Sequence, residues 1–223
     1  MSFNTKLTEI LLSDGVAENF TDKYRNDEQF RSAVDLLVPE VSACYKQEQR
    51  GDWHIYNVME HILRSVEEIN RLTCGYSEKE RKMLAYVMFM HDLGKPEYHK
   101  EKVSDGRVTD GFTFHNLGSE KIAKRILPSL DFDEKESAVI ITLVREHDVF
   151  LKFTDEPKND WQIKPTHEFF KNYIAELDKL GDGKRIFGYL ILVGIADNKA
   201  QNPAMTAESL KKIAKIKEIA LGN

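Results

Sequence analysis

Histidine and aspartate recur in this 223-residue chain at places where helical arithmetic turns them inward. His91 follows Leu84 by seven residues and Met88 by three, so on a helix it shares their apolar face. His147 extends the stripe Ile140, Leu143, Val144 in the same way, and Asp197 extends Ile186, Leu190, Val193. His61 lies at the edge of a further stripe, Val58, Ile62, Val66 and Ile69. An aspartate aimed into apolar surroundings is expensive unless donors or a cation compensate it, and one metal ion compensates several such groups at once. The neighbours His91 and Asp92 stand about 100° apart on a helix, so they can bind one ion lying off its flank. The second Asp92 oxygen is then free to bridge another. Imidazole with carboxylate suits Mn, Fe, Co, Ni or Zn, and the scarcity of thiolate argues against a structural zinc site. Taken singly, each residue has a plainer reading as a hydrogen-bonded core histidine, a helix cap or a solvated charge. The ordered set His61, His91-Asp92, His115, His147 and Asp197, spread over separate predicted helices, is what points to a metal centre.

The elements that must position these residues are helical. The stripes through Val58 to Ile69, Leu84 to Met88 and Ile140 to Val144 each read as one side of a bundle. Asp133 and Glu136 stand at capping-box spacing before the third stripe, and Pro165 is placed in the first turn of a helix running through Phe169, Tyr173 and Leu177 to Gly181. Another helix carries Ile186, Leu190 and Val193, and Thr206 is expected to cap a final one through Leu210, Ile213 and Ile219. After His91-Asp92 the run Leu93-Gly94-Lys95-Pro96 reads as a helix terminus with glycine in the cap region. Residues 97–114 hold Ser104-Asp105-Gly106 and Asp110-Gly111 turn signals and are expected to form a long loop or short hairpin; residues 155–164 form a second loop. Gly181-Asp-Gly-Lys184 lacks the spacing of a phosphate loop and reads as a turn. The amino-terminal region is expected to be helical around Leu7 to Leu12 and Phe30 to Val38, ending before Pro39.

Composition bounds the function. Hydrophobic residues make up 41% and charged residues 31%, which excludes collagen-like and disordered classes. A net charge of -5 provides no chain-wide cationic field for a nucleic-acid backbone. The longest apolar run, Ile186 to Ala196, is short of the roughly 20 residues a bilayer requires, and the amino terminus lacks a signal-peptide core, so a soluble cytoplasmic protein is expected. Cys44 and Cys74 form no ligand pair or disulfide framework.

Four stretches together resemble a known family: His54-Ile-Tyr-Asn-Val-Met-Glu-His61-Ile-Leu-Arg64, His91-Asp-Leu-Gly-Lys-Pro96, Phe114-His115-Asn-Leu-Gly-Ser-Glu120 and Ala196-Asp197-Asn-Lys-Ala-Gln201. The chain resembles the HD-domain superfamily of metal-dependent phosphohydrolases over roughly residues 39–203. It is most similar to the HD domains beside bacterial tRNA nucleotidyltransferases and poly(A) polymerases and to their stand-alone relatives. The resemblance implies an all-α bundle around a metal site, with a long loop between the His-Asp helix and the next helix. On this reading residues 1–223 form a single HD domain with a core at about 39–203, helices added at 1–38 and a carboxyl-terminal helix at 206–221.

Carried over by position, the resemblance makes His61, His91, Asp92 and Asp197 ligands of one divalent metal, and gives His115 and His147 to a second ion bridged by Asp92. Fe, Mn, Mg, Co, Ni or Zn all fit that role. Where the family commonly has Gly-His-Glu, this chain has Phe114-His115-Asn116, so the approach to the second site is altered. Lys95 and Arg64 are the cations expected to meet a substrate phosphate, with Arg145 and Lys199 weaker candidates and His54 a supporting or substrate group. Trp53, Trp161, Phe112 and Phe114 are read as core or loop anchors rather than a base-stacking pocket. The implied activity is hydrolysis of a nucleotide-type phosphomonoester or phosphodiester, a cyclic phosphate or an RNA end, by a metal-activated water with Asp92 bridging or orienting it. The alternatives are a diiron oxygenase on the same ligands and a nucleotide-sensing module. The expected partner is a small phosphorylated molecule or a nucleic-acid end, not a membrane. From a length of 223 residues no nucleotidyltransferase domain is expected beside the bundle, so polymerase activity is not implied.

Overall fold

The computed structural model describes residues 2–222 and is all-α apart from one hairpin. The helices are α1 (Phe3–Leu11), α2 (Val16–Asn26), α3 (Glu28–Leu37), α4 (Glu40–Lys46), α5 (Val58–Leu72), α6 (Glu78–Met90), α7 (His115–Ile126), α8 (Glu134–Glu146), α9 (His167–Leu177), α10 (Gly183–Lys199) and α11 (Pro203–Leu221). The hairpin is β1 (Lys100–Ser104) with β2 (Arg107–Gly111). No helix among the described residues is long and apolar enough to cross a membrane.

At the centre α5, α6 and α10 pack on one another, α8 closes on α6 and α10, and α7 lies on α8. The buried side of α5 carries Val58, Ile62, Val66 and Ile69, as their spacing predicts. The Leu84, Val87, Met88 stripe understates α6, in which every residue from Met83 to Met90 is buried. A helix apolar all round is one that neighbours enclose, and α6 contacts α1, α5, α8 and α10. Helix starts follow their caps: Asn57 accepts from the Glu60 amide, and Ser77-Glu80 and Asp133-Glu136 form complete capping boxes.

Two helix starts differ from expectation, and one helix carries no clear sequence signal. Thr166, not Pro165, opens α9 by accepting from the Phe169 amide. Asn202 caps α11, with Pro203 in the first turn, whereas Thr206 is buried inside the helix. Helix α2 has no clear stripe in the sequence because its buried residues, Val16, Ala17 and Phe20, all lie in its amino-terminal half. Phe20 docks there against Phe30 and Phe89, with ring centroids 5.7 Å from each.

Residues 97–114 resolve into the hairpin, whose register pairs Val103 with Val108 and Ser104 with Arg107. Asp105 and Gly106 both take positive φ, 52° and 73°, the tight turn that matches strand twist. The hairpin is fastened to the chain before α5. The Asp110 amide donates to the Arg50 carbonyl at 2.8 Å, the Arg50 amide returns a 2.6 Å bond to Asp110 Oδ2, and Arg107 pairs with Asp52.

Glu80 ties α6 to α10, the helices that lead to His91-Asp92 and to Asp197. It accepts from the Tyr189 hydroxyl at 2.6 Å and from Arg185 Nε at 3.1 Å as well as closing its capping box. Burial pushes the Glu80 pKa up, but the bonds from Ser77, Tyr189 and Arg185 prevail and lower it from 4.5 to about 2. A depressed folded-state pKa contributes stability that is complete above the unfolded value and drains as pH falls through the folded one. Urea titrations of Glu80→Gln are therefore expected to show a flatter loss of stability between pH 4.5 and 2 than the wild type. Identical slopes would contradict this role.

Candidate metal centre

Five helices deliver six donors, each near a helix end. His61 is in the first turns of α5, His115 opens α7, and Asp197 is in the last turn of α10. His91 and His147 are the residues that terminate α6 and α8, and Asp92 follows His91. The carboxyl termini of those two helices carry partial negative charge, which favours a cation nearby. His61, His91, Asp92 and His147 are buried. His115 and Asp197 retain 14% and 15% side-chain exposure, which marks where the centre meets solvent.

Donor atoms of His61, His91, Asp92 and Asp197 lie within 4.8 Å of one another, and so do those of Asp92, His115 and His147. Asp92 belongs to both groups and divides its oxygens between them. Oδ2 lies 3.1 Å from His61 Nε2, 3.3 Å from His91 Nε2 and 2.6 Å from Lys95 Nζ, while Oδ1 lies 3.1 Å from His115 Nε2 and 3.6 Å from His147 Nε2. Despite these short approaches, neither oxygen completes a hydrogen bond of normal geometry. The nitrogens converge around the carboxylate off the directions a hydrogen bond requires, the arrangement of donors that share ions rather than bond to one another.

The histidine tautomers lead to the same conclusion. The Nδ1–H groups of His91, His115 and His147 donate to the carbonyls of Met88, Phe112 and Val144 at 2.6, 2.7 and 2.7 Å. In each case the acceptor is the carbonyl three residues earlier. His61 Nδ1 instead reaches the Ala200 carbonyl at 3.3 Å, just past α10. A carbonyl only accepts, so Nδ1 carries a proton in each ring, and Nε2 is the atom each ring turns into the centre, a lone-pair donor wherever it is unprotonated. Two such nitrogens approach at 3.4 Å between His61 and His91 and at 3.1 Å between His115 and His147. Lone pairs that close repel unless positive charge lies among them, and an imidazole anchored through its second nitrogen is the usual form of a metal ligand. The donor set therefore fits a divalent metal.

The electrostatics agree. Burial resists positive charge on His61, His91 and His147, but the neighbouring carboxylates outweigh it and raise all three pKa values. Burial likewise resists the charge on Asp92 and Asp197, yet the surrounding imidazoles, with Lys95 beside Asp92, hold both well below the usual carboxylate range. The cavity thus favours positive charge among its nitrogens.

Of the expected cations, Lys95 is at the centre and buried, donating to Gln49 Oε1 at 2.7 Å while touching Asp92. Arg64 faces Glu60 at 3.0 Å and stacks over the Tyr56 ring at 4.4 Å, so its charge is already paired. Arg145 pairs with Glu146, and Lys199 lies 3.9 Å from Glu68. The His54 ring stands edge-on to His61 with centroids 5.2 Å apart, and its buried Nδ1 has no hydrogen-bond partner among the described residues. Burial first, then Lys95 and His61, push its pKa down to about 2, so it stays neutral.

Two contributors were not legible in the sequence. Gln49, buried and donating to the Tyr56 carbonyl at 3.2 Å, positions Lys95 from a segment without periodicity. Asp148 follows His147 and has a buried Oδ1 without a hydrogen-bond partner. Gly94 acts differently from expectation: it is not a left-handed cap but a close approach. A Cβ there would meet the His115 carbonyl oxygen at 2.4 Å and the Ser119 nitrogen at 2.5 Å, so glycine lets α7 bring His115 against Asp92.

No family model matches the chain. It is 25% identical over 185 residues to the bifunctional uridylyltransferase/uridylyl-removing enzyme of Gluconobacter oxydans (strain 621H), a match covering 75% of this chain and 16% of that protein. It is 24% identical over 124 residues to the protein of the same description from Rhodospirillum rubrum, covering 50% of this chain and 12% of the relative. The chain therefore matches less than a fifth of the length of these relatives.

Adding Mn²⁺ or Zn²⁺ to metal-stripped protein is expected to raise Tm by several degrees, because an ion bound only by the folded state stabilises it by mass action. Asp92→Asn keeps the shape and removes the charge, so its helical circular dichroism should persist while the metal-induced rise disappears. An undiminished rise in the variant would contradict the shared-carboxylate centre.

Proposed function

We propose that the protein is a metal-dependent phosphohydrolase of the HD superfamily, acting on a nucleotide-type phosphomonoester or phosphodiester. The observation that carries this reading is the Asp92 carboxylate, with one oxygen among His61, His91 and Lys95 and the other between His115 and His147. The relatives' description includes uridylyl removal, and a uridylyl group is a nucleotide joined through phosphate. Its removal breaks a phosphoester bond, the chemistry proposed here.

When bound, divalent metal supplies Lewis acidity toward phosphoryl oxygens and lowers the pKa of a coordinated water toward ~7. The chain's own groups do the rest. His61, His91, Asp92 and Asp197 would hold one ion, and Asp92, His115 and His147 a second. Lys95, donating to Gln49 and lying against Asp92, has N–H groups left to offer a phosphoryl oxygen. The burial around Lys95 strengthens that contact relative to a surface lysine. Arg64 has the smaller share, because Glu60 already compensates its charge. The partly exposed His115 and Asp197 border the opening through which a small phosphorylated substrate or a nucleic-acid end reaches the ions.

Mn²⁺-loaded protein is expected to release phosphate or alcohol from nucleotide esters at equal rates with and without dioxygen. Lys95→Ala should lower kcat/KM by about 10- to 100-fold, the loss of one charge-assisted hydrogen bond, with Arg64→Ala costing less. Turnover that requires oxygen would transfer the protein to the oxygenases. Tight nucleotide binding without turnover would make it a sensing module.

A further inference from the structure

Phe114, the residue before His115, has φ 69° and ψ 13°, a left-handed conformation that Cβ disfavours. Glycine is the default at such a place, and this chain uses it at Gly15 and Gly106, with φ 70° and 73°. Strain of this kind persists only where something offsets it or uses it. Burial does not offset it, because Phe114 is 64% exposed. The turn itself needs no side chain: the Leu117 amide donates to the Phe114 backbone carbonyl at 3.0 Å, and His115 is anchored to the Phe112 carbonyl. A glycine would make every one of these bonds at less cost.

What phenylalanine adds is a flat apolar face in solvent, one residue from His115, itself a partly exposed donor of the centre. Leu117, three residues on and 46% exposed, enlarges the apolar rim. We infer that Phe114 is a specificity-determining residue that stacks on the base of a nucleotide whose phosphate lies at the centre. The inference rests on the phosphohydrolase reading and narrows it to esters carrying an aromatic group. Stacking of a base on an aromatic side chain contributes about 1–3 kcal/mol, so its loss corresponds to roughly tenfold in affinity or more.

The test uses the Mn²⁺-loaded protein titrated calorimetrically with two non-hydrolysable probes, the methylenephosphonate analogue of adenosine 5′-monophosphate and methylphosphonate. Phe114→Gly and Phe114→Ala should each weaken the nucleoside probe about tenfold and leave methylphosphonate unchanged, while Phe114→Trp retains both affinities. Phe114→Gly should also melt higher than Phe114→Ala, since only glycine relieves the backbone, which separates the ring's role from the turn's. Unchanged discrimination between the probes in the glycine and alanine variants would overturn the inference and leave the phosphohydrolase reading standing. Failure of the wild type to bind either probe would overturn both.

Discussion

Four imidazoles with their Nδ1 protons committed to backbone carbonyls leave four lone pairs facing one buried carboxylate, and the molecule has to place positive charge among them. A buried charge left without compensation costs several kcal/mol, a large part of the net stability of a domain this size. Lys95 supplies one positive charge to Asp92 Oδ2. It does not reach between His115 and His147, which lie on the Oδ1 side. The arrangement favours positive charge at this centre, which a bound cation supplies to both donor groups at once.

The rest of the fold serves that constraint. Ligands sit at helix ends, where the chain turns and a side chain can fold back on the carbonyl three residues earlier, as His91 and His147 do. The bundle sets the spacing of those ends: α6 is enclosed from Met83 to Met90, Glu80 locks it to α10, and Gly94 removes a Cβ that would hold α7 away. Strain collects beside the centre rather than in the core. Phe114 keeps a left-handed backbone next to His115, while the helices behind it follow ordinary capping rules.

The helical class and the inward stripes were legible because period and caps are local: Asp133-Glu136 and Val58 to Ile69 behave as their spacing requires. The convergence of His61, His91, Asp92, His115, His147 and Asp197 was legible through the resemblance and through stripes that end in ionisable residues. Other features depend on contacts distant in sequence. Gln49 reaches Lys95 across 46 residues, and the hairpin is fastened to Arg50 across 60. Gly94 reads as a cap when only its own helix is considered, because the α7 backbone that needs the space lies beyond the hairpin. Helix α2 carries no stripe to mark it, and although Glu60 and Arg64 stand at the i,i+4 spacing of an ion pair, the stacking of Arg64 on Tyr56 depends on the fold.

The claim that Asp92 is shared between two ion-binding groups is tested most directly by elemental analysis of metal-loaded protein alongside a His115→Ala, His147→Ala double variant. The account predicts two metal ions per chain in the wild type, one for each donor group, falling to one in the variant. Equal stoichiometry in the two proteins would contradict it and leave His115 and His147 as substrate or packing residues.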